Sequence, residues 1–207
     1  MSSELLPYTV KPHPVTGVYS GKLGIWLFLA SEVMLFGAFF SSYVLLKVGA
    51  PLEGPAHWPD QSERHMSWMI GGFNTLVLII SSVTMVMAWV SLKSGNLRKA
   101  RLLLGATVAL ATLFLVLKIT LEYIPHWRDG FKMSTSNFWG MYYTMTGLHG
   151  LHIFGGIVVI SYFNGPGSKL WHHDPEYYTN RIECTGLYWH FVDLVWIFLF
   201  PTLYLMN

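Results

Sequence analysis

Charge is scarce in this chain. Only 12 % of its 207 residues are Asp, Glu, Lys or Arg, while 53 % are hydrophobic, and soluble domains carry about twice that charged share. The few charges are confined to short gaps between long apolar runs, which excludes an ordinary soluble fold and points to a polytopic membrane protein. Cysteine is almost missing: Cys184 stands alone. That excludes an intrachain disulfide, a CxxC redox motif and a two-thiolate copper or iron–sulfur centre within the chain. The net charge of +2 comes without a basic stripe that could track phosphates, so a nucleic-acid partner is not expected. There is no internal repeat and no pair of Gly/Pro-broken helices at matching positions, which argues against a transporter. The opening segment, "MSSELLPYTVKPHPVTGVYSGK", has no short apolar core before a small-residue cleavage site. It reads as a polar cytoplasmic tail over 1–21 and not as a secretory signal.

What the chain does have is long apolar runs. A spanning helix needs about 20 mostly apolar residues, and five stretches qualify: 22–47, 66–93, 98–124, 136–163 and 182–206. Gly- and Pro-rich segments such as "GAPLEGPAHWPD" and "NGPGSKLWHHDPE" separate them as loops. The expected architecture is an all-α integral membrane protein, a bundle of five transmembrane helices forming one domain over 22–207. The gap "LKSGNLRKAR" holds Lys93, Arg98, Lys99 and Arg101 and no acid, so it should face the cytoplasm. An odd number of spans then places the N-terminus in the cytoplasm and the C-terminus in the periplasm. By that assignment eight Lys or Arg lie inside and four (Lys47, Arg64, Arg128 and Lys132) outside. Trp58, Trp68, Trp127, Trp139 and Trp171 fall near span ends, where interfacial aromatics belong.

Ionisable residues at bilayer depth are costly, so each is a functional candidate. Glu32 sits about 16 Å into the first span at 1.5 Å per residue. Its neighbours three and four positions away are Leu29, Phe28, Leu35 and Phe36, so no cation shares its helical face. Two readings stay open for it: a proton-related, carbodiimide-reactive carboxyl, or an acid hydrogen-bonded to a neighbouring helix. In the fifth span Glu183, Gly186, His190 and Asp193 line one face. In the fourth span Tyr142, Thr146, His149 and His152 do the same. His149 and His190 are expected at similar depths, so the two faces are expected to meet in a buried polar network. A haem or metal site from His149, His152, His190 and Asp193 competes with polar contacts that fix helix register, and the second is the commoner use of such residues. Lys118 and Glu122, four apart near the outer end of the third span, read as a neutralising pair. Asn74 and Ser81 read as helix-packing contacts. His172 and His173, with Asp174 and Glu176 nearby, read as a solvated polar turn.

Four segments carry a resemblance to a known family: "SEVMLFGAFFSSY" (31–43), "LEYIP" (121–125), "TGLHGLHIFGG" (146–156) and "YWHFVDLVWIFLF" (188–200). A fifth, "NTLVLIISSVTM" (74–85), also fits. The chain resembles subunit III of the haem–copper terminal oxidases, the cytochrome c oxidase subunit 3 family, in its short five-helix bacterial form. The resemblance implies an accessory core subunit of a proton-pumping cytochrome c oxidase in the bacterial inner membrane, with a quinol oxidase as the alternative. It implies no catalytic residue, metal or redox cofactor in this chain, because haems and copper lie in partner subunits. It implies direct packing on subunit I, an assembly that includes subunit II and smaller subunits, bound phospholipid, and support for proton uptake and for the stability of subunit I. Whether that assembly joins a respiratory supercomplex stays open at the level of sequence. Glu32 falls on the family's carbodiimide-reactive glutamate. Glu122, His149, His152, His190 and Asp193 fall on signature positions with a structural role, and Glu183 joins them in the expected buried polar network. A stand-alone membrane haem or metal protein remains the reading that a metal analysis of the isolated chain would discriminate.

Overall fold

The computed structural model describes residues 20–51, 58–59 and 67–206. Most of the expected N-terminal tail, and the outer-loop stretches at 52–57 and 60–66 with Arg64, lie outside the described residues. Five long helices carry the chain: α1 (Ser20–Val48), α2 (Trp68–Lys93), α3 (Leu97–Lys118), α4 (Asn137–Asn164) and α5 (Pro175–Phe200). With their extensions, all five are long and apolar enough to cross a membrane.

Side-chain caps set three of the starts. Asn96 accepts from the Lys99 amide at 3.0 Å, and Ser136 from the Trp139 amide at 3.4 Å. Asp174 accepts from the Tyr177 amide at 2.9 Å, with Pro175 in the first turn. Each cap satisfies one of the free amides at a helix start, and proline is at home there because it has none to lose. The last cap explains the largest boundary difference. Hydropathy places the start of the fifth span at 182, but the helix begins at Pro175, because residues 175–181 are polar without being helix-breaking.

Two helices change pitch near the ends remote from the α2–α3 turn. After Lys118 the chain widens into a π-helical turn, Ile119–Tyr123, and closes with Ile124–Arg128. After Phe200 it widens again over Pro201–Leu205. The Ile124 amide reaches the Ile119 carbonyl, and the Met206 amide reaches the Pro201 carbonyl at 3.0 Å. Pro125 and Pro201 interrupt the α-helical ladder at these points, since each lacks an amide hydrogen and crowds the carbonyl four residues back.

The central helix is α5, which packs against α1, α2 and α4, while α3 packs against α2 and α4. α5 and α2 are antiparallel: Trp196 donates to Thr75 at 3.0 Å, Trp189 donates to Ser81 at 3.1 Å, and Gly186 faces Met85. α1 runs parallel to α5, from Lys22 beside Glu183 through Phe36 against Phe191 to Tyr43, whose hydroxyl donates to the Thr202 carbonyl at 3.1 Å. Apolar burial alone cannot hold helices together in lipid, so close packing and interhelical hydrogen bonds must contribute. Gly156 lets α4 and α5 approach closely, because a Cβ there would stand 2.6 Å from the Trp189 ring, and Gly71 does the same for α2 against the Phe200 ring at 2.6 Å. Thr84 on α2 and Thr107 on α3 share a hydrogen bond of 2.7 Å. At the end remote from the α2–α3 turn an aromatic cluster closes the bundle: Trp58 lies edge-on between Tyr43 and Phe138, and Phe131 stacks on Trp139 with centroids 4.8 Å apart.

Candidate functional site

The ionisable residues within the bundle are held by contacts of several kinds. Glu32 on α1 has a partner on α4: its Oε2 lies 3.0 Å from His152 Nε2. The other ring nitrogen, Nδ1, lies 2.8 Å from the Leu148 carbonyl, an acceptor, which fixes a proton on Nδ1. Phe36 packs edge-on against the imidazole, and Tyr188 of α5 lies alongside it and donates to the His152 carbonyl at 2.8 Å. The helical face of Glu32 itself carries no cation, as the sequence indicates, but the side chain is not alone. A neighbouring helix answers it with a group that can carry or release a proton.

Lys118 and Glu122 form the more deeply buried pair, at 2.5 Å with about 5 % of each side chain exposed. The expected neutralising pair is present, and it has two further members. Tyr142 of α4 donates to Glu122 Oε2 at 2.7 Å, and Tyr204 donates to the same oxygen. Lys118 Nζ donates to the Tyr142 hydroxyl at 3.1 Å and to that of Tyr204. Its ammonium also lies over the Trp196 ring, 5.0 Å from the centroid. Both pitch changes serve this cluster: one carries Glu122 and the other Tyr204. Single π-helical turns inside α-helices are frequent at functional sites. Alongside, Tyr123 and Thr146 share a hydrogen bond of 2.7 Å.

The structure divides the expected α4–α5 network into separate contacts. His190 points to α2, with Nδ1 2.5 Å from Ser82 Oγ. Asp193 is buried. Neither of its oxygens has a hydrogen bond of normal geometry, and Ser82 is the hydroxyl placed to interact with it. His149 is 1 % exposed, stacks on Trp196 at 5.2 Å and meets Phe114 edge-on; its ring nitrogens have no hydrogen-bond partner. Glu183 pairs with Lys22 of α1 at 2.6 Å. The reason is register. With His149 level with Trp196, it stands six residues along α5 from His190, about 9 Å at the helical rise. Among the described residues no group of three or more His, Cys, Asp or Glu is placed to hold a metal ion.

Tyr204, Ser82 and Lys22 complete these contacts, and sequence reasoning did not single them out. For Tyr204 a signal existed: Pro201, three residues earlier, breaks an otherwise unbroken apolar run. Ser82 carries no such mark.

These features converge with comparisons to known proteins. The family model described as cytochrome c oxidase subunit III matches residues 9–207. The chain belongs to that family. It is 34 % identical over 188 residues to cytochrome c oxidase subunit 3 of Bacillus sp. (strain PS3), covering 89 % of this chain and 85 % of that one. It is 32 % identical over 205 residues to the Bacillus subtilis (strain 168) protein of the same name, covering 97 % and 93 %. Against the Arabidopsis thaliana protein of that name it is 32 % identical over 198 residues, covering 95 % of this chain but 72 % of the plant chain. Cytochrome c oxidase subunit III is thus the frame for the buried pairs: a membrane subunit of a multisubunit enzyme.

Proposed function

We propose that this chain is the accessory core subunit III of a proton-pumping cytochrome c oxidase, carrying no redox centre of its own. It packs directly on subunit I, within an assembly that includes subunit II. The N-terminus lies in the cytoplasm and the C-terminus in the periplasm of a bacterium. The family match across residues 9–207 carries this reading. The five helices long and apolar enough to cross a membrane support the five-helix form. The basic α2–α3 turn supports the orientation.

Within that role the chain sustains proton uptake by subunit I and holds phospholipid at the bundle surface. Glu32 and His152 are the groups suited to the proton side. They are 13 % and 14 % exposed, so they meet the surroundings of the bundle without being solvated. A carboxyl and an imidazole in contact can pass a proton between them, since either atom of the pair can hold it. The test is a reduced-minus-oxidised haem spectrum of material purified through a tag on this chain, repeated after the chain is stripped away. Haem bands should remain with the complex that is left behind. Bands that travel with the isolated chain would overturn the proposal.

A further inference from the structure

His190 is the central residue of the span Pro175–Leu205, about 22 Å from either end at the helical rise. Only one of its ring nitrogens is used within the chain. Nδ1 meets Ser82, whose single proton can serve either that nitrogen or the Asp193 carboxyl. Nε2 has no hydrogen-bond partner among the described residues, and unlike both nitrogens of His149 it is not sealed inside the bundle.

The face around this nitrogen is uncovered. α1 and α2 pack on opposite sides of α5 and barely on each other. Between them α5 presents Leu194 and Ile197, four and seven residues beyond His190. α2 flanks that strip with Ile79 and Val86, three before and four after Ser82, and all four side chains are exposed. The surface is an apolar groove with one polar notch at half depth. Acyl chains can cover its apolar walls but cannot hydrogen-bond an imidazole, and lipid headgroups lie too far away along the axis. In that setting the group that answers a polar side chain belongs to another helix.

We propose that this groove receives a transmembrane helix of a partner subunit, and that a hydroxyl or carboxamide side chain on that helix meets His190 Nε2. When the Ser82 proton goes to Asp193, Nδ1 carries a hydrogen and Nε2 is an acceptor; when it goes to Nδ1, Nε2 is a donor. A hydroxyl or a carboxamide can answer both forms, whereas an ammonium or a carboxylate answers only one. The proposal rests on the reading that the chain packs on subunit I, and it assigns that packing a face and an anchoring residue.

Photo-crosslinking tests it on the complex retrieved through a tag on this chain. Benzoylphenylalanine is incorporated in place of Leu194 or Ile197 in the groove, and in place of the exposed Leu113 on α3 as a reference. The groove probes should join the chain to a transmembrane helix of a partner subunit, at a turn that holds Ser, Thr, Tyr, Asn or Gln. Crosslinks to lipid alone, to a second copy of this chain or to no polypeptide would overturn the proposal, as would the same crosslink from Leu113. His190→Leu should raise release of the chain from the complex in a detergent titration by about threefold or more, while His190→Gln, which keeps a hydrogen-bonding group, should retain it. Ser82→Ala removes the contact inside the chain and spares Nε2, so it should release less than His190→Leu. Equal release from those two variants, or none from His190→Leu, would count against the notch as the anchor. The haem spectrum of the same complex keeps the two readings apart. Silent groove probes in a haem-bearing complex refute the groove alone. A groove crosslinked to a subunit of a haem-free complex refutes the oxidase reading and leaves the groove assignment standing.

Discussion

At the level of single residues, three glutamates of the bundle differ in what holds them. Glu122 is clamped by an ammonium and two phenols, and Glu183 is paired with Lys22, whereas Glu32 meets only an imidazole. Carbodiimides attack a protonated carboxyl, so Glu32, which has no fixed cation beside it, is the acid expected to react. Glu32→Gln should abolish carbodiimide labelling of this chain, read by mass spectrometry of its peptides; label that persists on Glu122 or Glu183 would refute the assignment. The Lys118 cluster makes an opposite kind of prediction. Removing one partner of a buried ion pair strands the other and typically costs about 3–5 kcal/mol, whereas replacing both is far milder. Lys118→Met and Glu122→Gln should each lower the melting temperature of the purified protein markedly. The double variant should recover most of the loss, and additive losses would mean that the two groups act independently.

Among the helices, α4 meets α5 through a glycine whose neighbour is also a glycine, and the two are not equivalent. A methyl group at Gly156 would meet the Trp189 ring at 2.6 Å, and that ring is buried and tied to Ser81. A methyl at Gly155 would meet only the Tyr188 hydroxyl, at 3.7 Å. Gly156→Ala should therefore cost about 1–3 kcal/mol through overpacking, while Gly155→Ala should be close to neutral. Thermal denaturation of the two variants checks this, and equal effects would place the helix contact elsewhere. The same scale shows how far the sequence could be read. Four of the five spans lie within about two residues of their hydropathy limits at their starts, because lipid imposes a length and an apolar composition. The fifth starts early because Asp174 and Pro175 begin a helix before the apolar run does. Helical spacing put His149 and His152 on one face and His190 and Asp193 on another, but spacing does not say which helix each face meets. That depends on register and on bundle order. So Glu32 found His152, and His190 found Ser82 on α2 instead of α4. The prolines at 125 and 201 were visible, but their effect, turning Glu122 and Tyr204 towards one another, needed three dimensions.

For the whole molecule, the bundle is asymmetric in charge along its axis. One end carries the α2–α3 turn with Lys93, Arg98, Lys99 and Arg101, joined by Lys22, Lys169 and Arg181 near the ends of the other helices. The opposite end is rich in aromatic rings and carries Lys47, Arg128 and Lys132. Since α1 and α5 run parallel, the two charge-defined ends also separate the N-terminal from the C-terminal side, and one measurement of sidedness fixes both. Cys184 is the sole cysteine, so Cys184→Ser gives a background in which single cysteines can be introduced. Ser94 lies exposed in the basic turn, and Ser134 lies exposed in the turn between α3 and α4. In intact cells permeabilised only at the outer membrane, an impermeant maleimide should modify Ser134→Cys and spare Ser94→Cys. Inside-out vesicles should reverse the pattern. Cations are retained on the cytoplasmic side, so the basic end should be the protected one in cells. Modification of Ser94→Cys in those cells, with Ser134→Cys protected, would invert the bundle. It would put Glu32 and His152 on the reverse approach across the membrane and remove the basis for assigning them to proton uptake from the cytoplasm.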